Sequence, residues 1–138
     1  MEKLKQLLVI TFFTFYAFQA FAQKKSEEAI AEAAGAYLAI VYALQAVKQT
    51  QCGYALLMNI EEFSQKAEQD VQSNIPPAYK NEALNIRAST KAEMQSIVAN
   101  NIRSLDGKID PKTQCGLVVG GLLGNLTQYR TEWEQSKK

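Results

Sequence analysis

The chain has 138 residues, of which 15 are lysine or arginine and 14 are aspartate or glutamate, and it contains no histidine. Without histidine the commonest general base and the usual zinc and haem ligand are missing, so a Ser-His-Asp or Cys-His catalytic arrangement is impossible. The near-neutral charge, with no basic stripe, argues against nucleic acid as a partner. Because no phosphate loop, C-x-x-C or G-x-G-x-x-G motif is present either, we expect no metal and no cofactor.

The first 22 residues are predicted to form a signal peptide. Lys3 and Lys5 make the beginning positive, and residues 7–18 are apolar except for threonines. The sequence Ala20-Phe21-Ala22 then offers small residues at the two positions that signal peptidase inspects, which predicts cleavage after Ala22. The alternative is an uncleaved membrane anchor, but the apolar run is short for a span. We therefore expect a periplasmic or secreted protein with no stable membrane span after cleavage.

The expected mature chain, residues 23–138, is short enough to form a single domain. Cys52 and Cys115 are its only cysteines, and each lies in a copy of the tetrapeptide Thr-Gln-Cys-Gly. Export would place them in an oxidising compartment, where small domains are often stabilised by disulfides. We predict a disulfide between Cys52 and Cys115; the alternative is two buried free thiols.

The mature chain predicts an all-α fold. Its residues are mostly good helix formers, and its apolar residues recur at spacings of three and four. The first predicted helix runs from about Ser26 to Lys48, with Ser26 as N-cap. Because this helix is apolar almost all round, it is either central or embedded in a membrane, and its alanine-rich composition favours the central position.

Three further helices are predicted. The second begins directly after Thr50 and ends before Pro76, since the proline pair that begins there cannot continue a helix. The third covers about 78–105, and the fourth covers about 113–135. Thr50 and Thr113, which open the two tetrapeptides, are expected to cap the second and fourth helices.

These elements predict a four-helix bundle of two αα-hairpins. In an up-down-up-down bundle the second and fourth helices run in the same direction, so Cys52 and Cys115 lie at the same end. A disulfide requires Cα atoms about 4.4–6.8 Å apart. The second and fourth helices are therefore predicted to approach each other at that end.

Small residues recur every fourth position on two of the predicted helices. Such a row lets another backbone approach closely. Tight packing of the first helix against the fourth is the favoured interpretation, and a homodimer seam or membrane insertion are the alternatives. The candidate close-packing or interface residues are Gly35, Ala39, Gly116, Gly120 and Gly124.

The motifs point to no particular activity, so function is predicted from what remains possible. The leading hypothesis is an exported protein that binds another exported protein, such as an inhibitor, immunity or adaptor protein, with Tyr79 as a candidate contact. The second hypothesis is a bundle that binds a small molecule or lipid between the first and fourth helices. The third is an enzyme that uses Glu32 as a buried acid with a raised pKa, although Glu32 can equally point into solvent.

Overall fold

The computed structural model describes residues 26–138, except for the side chains of residues 84–86. The predicted signal peptide lies outside these residues. The described chain forms four α-helices, which confirms the all-α prediction. They are α1 (Glu27–Lys48), α2 (Ile60–Asn74), α3 (Lys80–Leu105) and α4 (Pro111–Ser136), with short 3-10 turns at Gly53–Ala55 and Pro77–Tyr79.

The first helix, α1, lies at the centre of the bundle and contacts each of the other three helices. Its N-terminus has the predicted cap, because Ser26 Oγ accepts a hydrogen bond of 3.1 Å from the backbone N–H of Ala29. Val41, Leu44 and Val47 have no accessible surface. By length and composition α1 could cross a membrane, but 56% of its apolar window is buried inside the bundle. The prediction of a central helix is confirmed.

The second helix begins later than predicted, at Ile60 rather than near Cys52. Asn59 is its N-cap, and its side-chain oxygen accepts a 3.3 Å hydrogen bond from the N–H of Glu62. Thr50 closes the end of α1 instead: its hydroxyl donates to the carbonyl of Val47 at 2.6 Å and accepts from the N–H of Cys52 at 3.1 Å. The prediction that Thr50 caps the second helix is thus wrong, because its side chain stabilises the turn that follows α1.

The fourth helix begins at Pro111, with Asp110 as N-cap. The carboxylate of Asp110 accepts hydrogen bonds from the backbone N–H of Thr113 at 2.9 Å and from its hydroxyl at 2.6 Å. Proline suits the first position of a helix, where no intrahelical N–H bond is lost. The prediction that Thr113 is the cap is therefore wrong, since Thr113 already lies in the first turn.

The disulfide between Cys52 and Cys115 is confirmed, with an S–S distance of 2.09 Å and Cα atoms 5.0 Å apart. Both residues are buried. Since α2 begins only at Ile60, the bond joins the loop after α1 to the first turns of α4, rather than the ends of two helices. The two tetrapeptides therefore have different structures: the first is a turn and the second is helical.

Alanine substitution in the two tetrapeptides is expected to have opposite effects on stability. A Cβ atom at Gly53 would clash with the backbone carbonyl of Lys48, so Gly53→Ala should lower the free energy of unfolding by about 1–3 kcal/mol. A Cβ atom at Gly116 would meet nothing within 4 Å. Because alanine favours a helix, Gly116→Ala should raise the free energy of unfolding by about 0.5–1 kcal/mol. Urea unfolding of both variants measures this difference, and changes of the same sign would contradict it.

Candidate interaction surface

Three long segments within residues 26–138 carry no charged residue, although 21% of all residues are charged. One of them, residues 33–47, is mostly buried in α1, whereas two reach the surface. These two are residues 49–60, which include the loop between α1 and α2, and residues 113–129 of α4. The disulfide joins the two segments, and the 3-10 turn Gly53–Ala55 also contacts α4. We call the solvent-exposed residues of these two segments the uncharged surface.

Outside residues 84–86, every large apolar side chain that is exposed within residues 26–138 belongs to the uncharged surface. Tyr54 and Leu57 are 63% and 96% exposed in the loop, and Leu117 and Leu123 are 60% and 38% exposed on α4. A single exposed leucine is ordinary, but the restriction of all four residues to the two uncharged segments is not expected from chance scatter. The uncharged surface is therefore the strongest candidate for a contact with another molecule.

The glycine row of α4 lies on the outer side of the helix. Gly116, Gly120 and Gly124 are exposed, and a Cβ atom on any of them would meet nothing within 4 Å. The prediction that they pack against the first helix is wrong, because the buried face of α4 is set by larger side chains. These are Cys115, Val119, Leu126, Tyr129 and Trp133.

The other predicted contact residues lie elsewhere. Gly35 is exposed on α1 with open space around its Cα, whereas Ala39 is half-buried against the core. Tyr79 is also half-buried and packs against the core. The aromatic residue that stands out from the surface is Tyr54, which sequence reasoning placed near the beginning of a helix. The absence of charge from residue 49 to residue 60 is the signal that could have identified it.

A polar groove with a volume of about 260 Å³ lies between α1, α2 and α3. Tyr42 in its wall is buried, and its hydroxyl accepts a 3.2 Å hydrogen bond from Nε of Arg87. Burial raises the pKa of Tyr42 to about 12, so this hydroxyl is protonated at neutral pH. Arg87 also pairs with Glu68, which Lys91 approaches to 3.2 Å. The two cations and the carboxylate fix α2 to α3 beside the groove.

A second polar cluster joins the end of α4 to α2. The indole N–H of Trp133 donates a 2.7 Å hydrogen bond to Asp70, and the ammonium of Lys137 lies 3.0 and 3.1 Å from the same carboxylate. Burial alone would lower the pKa of Lys137, but hydrogen bonds to Glu134 and Asp70 outweigh it and raise that pKa. All the donors are thus satisfied, which identifies this cluster as structural.

Glu32 is half-buried, and burial followed by repulsion from Glu28 raises its pKa. It does not line the groove between α1, α2 and α3. Over residues 26–138, no group of three or more Cys, Asp or Glu side chains is arranged to hold a metal ion. The uncharged surface and the polar groove are therefore the features from which a function can be argued.

Comparison with protein-family models, with curated proteins and with solved structures finds no match for this chain. The fold itself defines the class: a four-helix bundle with a central apolar helix and one disulfide.

Proposed function

We propose that this chain is an exported helical protein that acts by binding another protein through the uncharged surface. The observation that supports this most strongly is the position of the four large apolar side chains that are exposed outside residues 84–86, all of which lie in two segments without charge. The cores of protein interfaces are depleted of charged residues and enriched in aromatic ones. Tyr54 is the aromatic anchor of the proposed contact, and its apolar neighbours supply the area around it.

The loop holds its exposed side chains in a well-defined place. Leu57 points into solvent between the buried Leu56 and the half-buried Met58. The loop is fixed at one end by the disulfide of Cys52 and at the other by the N-cap Asn59. A loop that is ordered before binding loses little conformational entropy when the partner arrives, which favours affinity.

The glycines of α4 give the proposed contact a second element. Gly116, Gly120 and Gly124 leave the outer side of the helix flat, so a partner backbone can approach it closely. Exposed glycine in a helix lowers stability by about 1 kcal/mol each relative to alanine. A row of such residues is better explained by a contact than by folding of the single chain.

Export is part of the same proposal. A disulfide such as that between Cys52 and Cys115 persists in oxidising compartments and is rare in reducing ones. The predicted signal peptide, residues 1–22, would deliver the chain to such a compartment. The partner is therefore another exported protein.

Charge placed on the uncharged surface should abolish partner binding without unfolding the protein. In the double variant Leu57→Asp and Leu117→Asp, both side chains lie in solvent, so the stability should change by less than about 1 kcal/mol. Burial of two carboxylates in the interface should weaken binding at least tenfold. Ala92→Asp, at an exposed position on α3, is the matched control and should bind as the wild type does.

The measurement is quantitative affinity capture from the exported fraction, followed by binding of the purified partner to all three proteins. Hydrogen exchange of the complex should show protection in residues 53–58 and 116–124. Equal capture by the double variant would contradict the proposal, as would failure to recover any stoichiometric partner across growth conditions. Binding to lipid vesicles in place of protein would assign the uncharged surface to a membrane instead.

A further inference from the structure

We propose that the polar groove between α1, α2 and α3 binds a small molecule that carries a carboxylate. This site shares only Gln49 with the uncharged surface, and the proposal does not rest on the proposed protein partner. Its volume of about 260 Å³ is below the roughly 300–1,000 Å³ of pockets for drug-sized ligands. The groove therefore fits a small organic acid. The polar residues that line the groove include Tyr42, Gln45, Lys48, Glu61, Lys91 and Gln95.

The groove offers more hydrogen-bond donors than its own side chains use. Gln45, Gln49 and Gln95 line it from two helices, and none of their side-chain amides has a partner within the described part of the chain. Each such amide carries two donors, and each lysine ammonium carries three. Lys48 uses one donor on Glu61 at 2.8 Å. The remaining donors can bind acceptor oxygens of a ligand; because each amide also offers an acceptor oxygen, the lysines rather than the amides favour an anion.

The charges around the groove favour an anion. Three cations, Lys48, Arg87 and Lys91, stand beside two carboxylates, Glu61 and Glu68. Since Glu68 is shared by Arg87 and Lys91, the cluster keeps a net charge of +1. This charge complements the single charge of a carboxylate better than the nearly double charge of a phosphate monoester.

The cationic side of the groove is held in place before any ligand binds. The ammonium of Lys91 lies 4.9 Å from the centroid of the Tyr42 ring, within the range of a cation–π contact. Tyr42 is in turn fixed by its burial and by the hydrogen bond from Arg87. A positioned ammonium loses little freedom on binding a carboxylate, which favours recognition at this point.

The experiment is a titration of the purified, oxidised protein with acetate and glutamate, which each carry one net negative charge, followed by NMR of the backbone and side-chain amides. Succinamide and inorganic phosphate at equal ionic strength are the comparison ligands. We expect saturable binding of at least one carboxylate, with the largest shifts at the side-chain amides of Gln45 and Gln95. Lys91→Gln should weaken this binding at least fivefold, whereas Lys66→Gln, which removes an exposed cation of α2 outside the groove, should leave it unchanged.

Three results would overturn the proposal. One is the absence of saturable shifts for every carboxylate up to about 10 mM. Another is equal weakening by Lys91→Gln and Lys66→Gln, which would show non-specific attraction between charges. The last is tighter binding of succinamide or phosphate than of any carboxylate at the same amides.

Discussion

Replacement of both cysteines by alanine is expected to lower the free energy of unfolding by about 3–4 kcal/mol. The bond between Cys52 and Cys115 spans a sequence separation of 63 residues, and closing a loop of that length in the unfolded chain corresponds to about 4 kcal/mol. A single domain has only about 5–15 kcal/mol in total. The double variant should therefore melt roughly 10–20 °C lower than the wild type, or fail to fold at 37 °C.

Urea unfolding of the wild type under oxidising and reducing conditions provides the control for this prediction. Reduction keeps both sulfur atoms in the core, so the difference between the reduced wild type and the alanine variant measures the lost packing alone. The difference between the oxidised and reduced wild type measures the cross-link. Equal stability of those two forms, or two titratable thiols in natively exported protein, would contradict the assignment of a stabilising disulfide.

Trp133→Ala is expected to lower the free energy of unfolding by about 3–5 kcal/mol, the usual range for removing a large buried aromatic side chain. Trp133 has no accessible surface and belongs to the core cluster with α1. Its indole N–H also donates to Asp70, which holds the end of α4 against α2. Both the cavity and the lost hydrogen bond act in the same direction.

Trp133→Phe separates the effect of the cavity from that of the lost hydrogen bond, and Tyr54→Ala is the control at the surface. Trp133→Phe keeps an aromatic ring but removes the donor, so it should lower the free energy of unfolding by about 1–3 kcal/mol. Tyr54→Ala, at an exposed position, should change it by less than about 0.5 kcal/mol. Circular dichroism is the appropriate signal, since Trp133 is the only tryptophan. Equal effects of Trp133→Ala and Tyr54→Ala would contradict the position of Trp133 in the core.

The features that could be predicted from the sequence are those that local chemistry determines. Ser26 could be predicted as the cap of α1 because its hydroxyl comes directly before two glutamates, which favour the first turn of a helix, and an apolar run. The central position of α1 follows from its lack of a polar face. The disulfide follows from having only two cysteines in a chain with a predicted signal peptide.

The sequence predictions are wrong where two local structures are both possible and tertiary contacts decide which one forms. Thr50 and Asn59 are both good N-caps, and the buried Leu56 has the spacing of a helical stripe although it lies in an extended loop. Likewise, a row of glycines can face inwards or outwards. The larger apolar side chains of α4 decide its orientation because they bury more area than glycine does.

The interaction surface could have been predicted in part. The uncharged segments 49–60 and 113–129 are visible in the sequence, and the disulfide prediction already brings them together. Which of their leucines face solvent is fixed only by packing, so Leu57 and Leu117 could not be told from core residues. The groove depends on how three consecutive helices pack against one another, and no local sequence pattern predicts it.

Site-specific photocrosslinking in the cells that produce the protein tests the central claim most directly. A photoreactive amino acid is placed at position 57, position 117 or position 92, and the crosslinked species are identified by mass spectrometry. Binding through the uncharged surface predicts that the same exported protein is crosslinked from positions 57 and 117 but not from position 92. Crosslinking of that protein from position 92 alone, or of no protein from any position, would contradict the account.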